Sequence, residues 1–211
     1  MLILYIVRST DLWALAEAQL NDEDRRNINF SRPDKLKPLA DLLALTEESK
    51  QECIKKRWKY TRKSGETVIL RDVFDKIIKW IDIFKQVGDA VVQYDPVHTA
   101  LPWAGIRFVL QVCVARSHWK IRQLRLAQII VNDHNKFGGV VEDLAWIAEL
   151  ICRHAVLEDL YLRQTSKAAE ELQRALVTLY AAVLIYLTKA KQYLEQGSAS
   201  QYISSQAWNI N

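Results

Sequence analysis

Glycine and proline are scarce in this chain, six and four among 211 residues, which argues against a fold built from many tight turns and short strands. Cysteine is scarcer still. Cys53, Cys113 and Cys152 stand far apart with no CxxC pair, and such a set without a secretory leader reads as reduced thiols in a cytoplasmic protein. Long apolar runs are also lacking. The opening MLILYIV is too short to span a bilayer and lacks the layout of a signal peptide, and the run from Ala175 to Leu187 is short and contains Thr178. No transmembrane segment is expected. No GxxxxGK[ST] loop is present to cradle phosphates.

What is there is ordinary globular material. Hydrophobic residues make up 50% and charged residues 26%, enough for one substantial core and too apolar for disorder. The net charge is +4, and Arg116, Lys120, Arg122 and Arg125 account for all of it within a stretch that has no acid. Overall basicity is therefore weak evidence for an acidic partner, and nucleic acid is disfavoured.

Helical periodicity runs through most of the chain. Thr10 is placed to cap a helix carrying Trp13, Leu15, Ala16 and Leu20, and Asn21-Asp22-Glu23 to start a short one over 22–28. Leu36, Leu39, Leu42, Leu43 and Ala44 mark a helix after Pro33. Thr46-Glu47-Glu48 reads as a fresh start running towards Arg62, with a break at Ser64-Gly65. Val73, Ile77, Trp80, Ile81, Phe84, Val87 and Val91 then keep the helical period over 68–92, until Asp95-Pro96 ends it. A helix begins near Leu101, with Pro102 tolerated in its first turn. Gly138-Gly139 suggests a kink before a helix bearing Val140, Leu144, Ile147, Ile151, Val156 and Leu160. Thr165 or Ser166 caps the last helix, which Gly197 closes. The expectation is an all-α fold: a single multi-helix bundle of long amphipathic helices with no sheet. Residues 1–10 form a short apolar segment, 11–196 the helical domain and 197–211 a flexible tail.

Two kinds of candidate site emerge. The run KKRWKYTRK offers Lys55, Lys56, Arg57, Trp58, Lys59, Arg62 and Lys63 as an interaction surface, its cations facing phosphates and its aromatics stacking or inserting. The plainer and preferred reading is a solvated helix C-terminus whose cations complement the dipole. Asp133-His134 and Cys152-Arg153-His154 lack the converging ligands a metal needs, and Cys152, near an apolar face, reads as a packed thiol. His98 reads as a cap or backbone partner. No nucleophile, base and orienting group come together, so no catalytic, cofactor or metal residues are assigned and an enzyme is not expected.

The segments DLWALAEAQL (11–20), VILRDVFDKIIKWIDIFKQVGDAVVQYDPVHTALPWAGIRFVLQ (68–111), VNDHNKFGGVVEDLAWIAELICRHAVLEDLYL (131–162) and ALVTLYAAVLIYLTKAKQYL (175–194) resemble the N-terminal domain of fungal NWD-type NACHT NTPases. Those are NOD-like, signal-transducing ATPases in which this domain precedes the nucleotide-binding one. The resemblance implies a non-enzymatic signalling or effector module, present here without its ATPase domain as in a truncated protein. Its implied partners are a neighbouring NACHT domain, another protein or a second copy. The alternative is a membrane-active effector of programmed cell death, touching anionic membrane through MLILYIV and the basic run. Trp13, Trp80, Asp95, Pro96, Pro102, Trp103, Arg107, Glu158 and Tyr161 are its signature positions. They read as structural, with Trp103 an anchor and Arg107 paired to a core-edge acid such as Glu158; the functional reading of the Asp95–Arg107 group is a docking surface.

The resemblance breaks at Val112–Gln128. Joining Gln111 to Ile129 restores an amphipathic run, FVLQ-IIVNDHNKFGG, and the intervening piece is an atypical insert. It opens with Val-Cys, encodable as GTATGT, and closes with Gln, encodable as CAG, ends that fit a short retained intron translated in frame; the alternative is a genuine lineage-specific helix extension. It contains neither Pro nor Gly and could itself be helical; Cys113, His118 and Trp119 within it are assigned no function. Transcript reads lacking the codons of 112–128 are expected across this junction; reads that are continuous in every case would refute the intron.

Overall fold

The computed structural model describes residues 11–27, 38–91, 100–119, 127–162 and 166–207. These residues are mostly helical, with one small two-stranded sheet. In chain order the elements are α1 (Leu12–Ala18), α2 (Asp22–Asn27), α3 (Pro38–Lys56), β1 (Lys59–Thr61), β2 (Thr67–Ile69), α4 (Leu70–Val91), α5 (Ala100–Trp119), α6 (Ala127–Tyr161) and α7 (Lys167–Ala207). MLILYIV, Thr10, Pro33, Asp95, Pro96, His98 and Thr165 lie outside the described residues, as do the side chains of Asp133 and His134.

The helix starts follow capping chemistry. Asp11, not Thr10, caps α1, its carboxylate accepting the Ala14 amide at 3.0 Å. Asn21 accepts the Asp24 amide at 2.7 Å and donates its side-chain N–H to the Asp24 carboxylate at 2.8 Å, closing the first turn of α2. Ser166 accepts the Ala169 amide at 3.0 Å at the head of α7. The fresh start expected at Thr46 does not occur, because α3 runs unbroken from Pro38. The hydroxyls of Thr46 and Ser49, both buried, instead donate to the carbonyls of Leu42 and Leu45 one turn back, at 2.6 and 2.7 Å.

The sheet is the clearest departure from expectation. The expected helix towards Arg62 ends at Lys56, where the Trp58 amide bonds the Cys53 carbonyl and the Arg57 amide the Ile54 carbonyl, both at 3.1 Å. This is a Schellman cap with Arg57 at the left-handed position, φ 50, where glycine is usual. The chain then makes an antiparallel hairpin pairing Lys59 with Ile69, Tyr60 with Val68 and Thr61 with Thr67. Its turn is closed by the Gly65 amide on the Arg62 carbonyl at 2.9 Å, with Gly65 at φ 87, the three-residue loop that ends in a left-handed glycine. Ser64-Gly65 is thus a hairpin turn, and α4 starts at Leu70 rather than in the 68–69 stretch.

Helix α4 lies against α3 and α6, α5 against α3 and α7, and α1 against α7. The core holds Val73, Phe74, Ile77, Ile81 and Phe84 of α4, Trp103, Ile106, Val109 and Leu110 of α5, Val141, Leu144, Ala148 and Ile151 of α6, and Leu176, Tyr180, Val183, Leu184 and Leu187 of α7. Helix α5 crosses the Gln111–Val112 junction and α6 begins at Ala127, so both ends of 112–128 are helical. Gly197 does not close α7, which continues to Ala207; one helical glycine costs only about 1 kcal/mol. Within α7 the stretch Lys167–Tyr193 is long and apolar enough to cross a membrane by length and composition alone, a test that a core helix also passes. It is lined here by α1 and α5.

Helix α6 runs unbroken through Gly138-Gly139. A Cβ at Gly138 would stand 2.2 Å from Cγ of Tyr60, so the missing side chain is the seat of the β1 tyrosine; a Cβ at Gly139 would meet nothing. Gly138→Ala should therefore cost roughly 1–3 kcal/mol as overpacking, whereas Gly139→Ala should hold or raise stability by up to about 1 kcal/mol. Urea unfolding of the two variants tests this, and equal midpoints would refute the seat.

Candidate functional site

The hairpin is tied to one face of α6. Asn135 and Glu142 flank Gly138 at helical spacing. Asn135 accepts the Thr61 amide at 3.0 Å through its side-chain oxygen, and the Glu142 carboxylate accepts from the Tyr60 hydroxyl and from two nitrogens of Arg62. Arg62 also pairs with Glu66 across the turn. The Arg62 guanidinium holds the Glu142 carboxyl below its ordinary value, and burial with the adjoining carboxylate pushes Tyr60 up to about 12. Asn135 and Glu142 were not singled out in the sequence; the visible signal was the NxxGxxxE spacing opposite an alternating KYT and TVI.

This arrangement divides the basic run. Trp58 packs edge-on against Phe137 with ring centroids 5.7 Å apart, and Tyr60 is buried. Lys55 and Lys56 pair with Glu52 at 3.1 and 3.3 Å, and Arg62 is held as above. Arg57, Lys59 and Lys63 are exposed, with no ion pair among the described residues. The expected solvated helix terminus is therefore half correct: the helix stops at Lys56, and the remaining cations sit on a hairpin.

The described signature positions spread over several elements. Trp13 of α1 stacks on Tyr180 of α7, ring centroids 3.9 Å apart and planes 3° from parallel. Trp103 is 2% exposed and leans on Phe84 at 5.1 Å, and its indole N–H has no hydrogen-bond partner among the described residues. Pro102 is buried beside it. Trp80 is half-buried, its carbonyl accepting the Cys152 thiol at 3.1 Å while the Lys79 and Arg153 cations lie over its ring. Arg107 pairs with Asp41 at 3.5 Å, which corrects the suggested pairing with Glu158. Glu158 instead accepts the Tyr180 hydroxyl. Tyr161 is left 59% exposed.

Among the described residues, both cysteines are buried. Burial pushes the thiols of Cys53 and Cys152 up to about 12, far from the thiolate a nucleophile needs. Burial also raises Tyr180, and raises Glu158 against the lowering effect of the Tyr180 hydrogen bond. His154 turns Nδ1 to the Leu150 carbonyl at 2.7 Å. Among the described residues no group of His, Cys, Asp and Glu is placed to hold a metal.

Helix α6 presents a second surface. Leu144, Ile147 and Ile151 are buried as expected, but Val156 and Leu160 are not. Leu160 lies about two and a half turns beyond Ile151, on the opposite side of the helix. There it falls in line with Trp146; Trp146 and Leu160 are 59% and 63% exposed, with Tyr161 alongside. Sequence periodicity grouped Val156 and Leu160 with the buried positions of this helix.

Compared with family models, curated proteins and solved structures, the chain matches none of them.

Because Glu158 is raised above its ordinary 4.5, its folded form binds the proton more tightly than the unfolded chain. The stability it contributes is complete below that value and is lost as pH rises through the folded pKa. Glu158→Gln keeps an acceptor for Tyr180 and removes the charge, so it should flatten that decline and gain on the order of 1 kcal/mol at neutral pH. Thermal unfolding across the acid-to-neutral range checks it; a variant that keeps the wild-type slope would refute the assignment.

Proposed function

We propose that the chain is a non-enzymatic helical signalling module, a multi-helix bundle of the kind found at the N-terminus of fungal NWD-type NACHT NTPases, acting in the cytoplasm through protein contacts. The observation that carries this reading is the set of exposed apolar side chains Trp146, Leu160 and Tyr161 on the outer side of α6. Isolated exposed apolar residues are ordinary, but two aromatic side chains and a leucine exposed within about 100° of one helix side, over about 21 Å, are of the kinds enriched at interfaces. The ion pair of Glu149 with Arg153, at 2.5 Å, lies between Trp146 and Leu160 on the same side of the helix, so apolar and charged side chains alternate along this surface. The family placement rests on the sequence segments, and their tryptophans and arginine serve helix packing at Trp13, Trp80, Trp103 and Arg107.

A second copy and an adjoining NACHT domain are the partners this reading names; no cofactor is required. Sedimentation equilibrium of the wild-type chain should show concentration-dependent self-association, or binding of a NACHT domain supplied in trans. Trp146→Ser with Leu160→Ser should weaken that association at least about tenfold and leave the thermal midpoint unchanged, since both side chains are exposed. A wild type that stays monomeric and ignores the added domain, or a double variant that associates as well as the wild type, sinks the reading.

A further inference from the structure

The hairpin carries charge that the fold does not use. From Ile54 to Ile69 the chain places Lys55, Lys56, Arg57, Lys59, Arg62 and Lys63 against a single acid, Glu66. Glu52 takes the first two lysines, and Glu142 with Glu66 takes Arg62. Arg57, Lys59 and Lys63 remain exposed, with no ion pair among the described residues. Ile69, 39% exposed, stands directly across the sheet from Lys59, and Ile54, 42% exposed, lies on the last turn of α3 three residues before Arg57. The backbone under this face is held by the cap at Arg57, the turn at Gly65 and the seat of Tyr60 on Gly138.

We infer that the outer face of the hairpin, with Lys59, Lys63 and Ile69, together with the adjoining end of α3, with Ile54 and the capping Arg57, is a docking surface for an anionic lipid bilayer. Three uncompensated cations call for an anionic partner, and the two exposed isoleucines call for one that also accepts apolar side chains. The headgroup and acyl boundary of a membrane offers both. A single-stranded nucleic acid would be gripped by aromatic platforms, but Trp58 and Tyr60 of this segment are turned onto α6. The surface is separate from the α6 row, and it is read without a protein partner.

The test is co-sedimentation of the intact chain with phosphatidylcholine vesicles, with and without phosphatidylserine. Binding is expected with phosphatidylserine only, falling as salt is raised because exposed charges are screened beyond about 10 Å at 0.1 M. Replacing Arg57, Lys59 and Lys63 together by Gln should lower the partition coefficient roughly a hundredfold. Ile54→Ser with Ile69→Ser should lower it about tenfold while keeping the salt dependence. Should the triple variant fail to fold, Lys59→Glu alone, at an exposed strand position, should cost roughly thirtyfold. Equal binding to neutral vesicles, absence of binding to both, or binding that survives these charge changes overturns the proposal. So does an oligonucleotide whose binding the same variants abolish while vesicle binding persists, which would reassign the face to nucleic acid.

Discussion

The contact on which the rest of the structure turns is the Tyr60 ring laid against α6 at Gly138. No other residue type leaves room for that ring, so one glycine decides where the hairpin sits. Once it is seated, Glu142 comes within reach of the Tyr60 hydroxyl and the Arg62 guanidinium, and Asn135 within reach of the Thr61 amide. Helix α4 begins immediately after β2, so the same contact sets the start of α4 along α6, the most extensive helix pairing in the chain. It also sorts the basic run by residue type, aromatics inward and unpaired cations outward.

A second junction joins the chain's ends to its middle. Trp13 on α1, Tyr180 on α7 and Glu158 on α6 form one stacked and hydrogen-bonded group. Its energetics are mixed. The ring stack and the apolar burial favour closure, while the carboxylate loses hydration that one hydroxyl only partly replaces. The neighbouring Asp11 charge adds to the cost of ionising Glu158. Other buried polar groups on these helices have a cheaper solution. Thr188 donates to the Leu184 carbonyl at 2.9 Å, much as Thr46 does to Leu42, so hydroxyls enter the core without a partner from another element. That economy lets α7 carry a nearly continuous apolar stretch under α1 and α5.

The helical elements were legible because period and burial coincide along them. Val73, Ile77, Ile81 and Phe84 mark the buried face of α4 directly, and Leu176, Val183 and Leu187 that of α7. Caps were legible where the residue type is decisive, as at Asn21 and Ser166. The hairpin was not, because strands of three residues are too short for alternation to stand out and a run of lysines and arginines suggests a helix end. Thr46 misled for a different reason: the residues that cap helices also satisfy themselves inside one. Leu160 misled because five or more apolar positions over a long helix need not share a face. The Glu142 clamp needed both distant halves of the chain at once, and no local pattern in either half contains it.

The charge of the chain shows why such placement matters more than totals. The net charge of +4 equals the cations of residues 112–128, and without that stretch the formal balance is zero. A neutral balance would nonetheless leave the hairpin electropositive. Electrostatic influence between exposed groups falls away over about 8 Å at physiological ionic strength, so acids elsewhere on the surface do not cancel Arg57, Lys59 and Lys63. The acids that are close, Glu52, Glu66 and Glu142, are already committed to Lys55, Lys56 and Arg62. The clamp that seats the hairpin thus uses up the local negative charge on the inner side and leaves the outer side positive. Folding and surface character are set by the same few residues: Glu142 anchors the hairpin through Arg62, and in doing so it is withdrawn from the cations beyond.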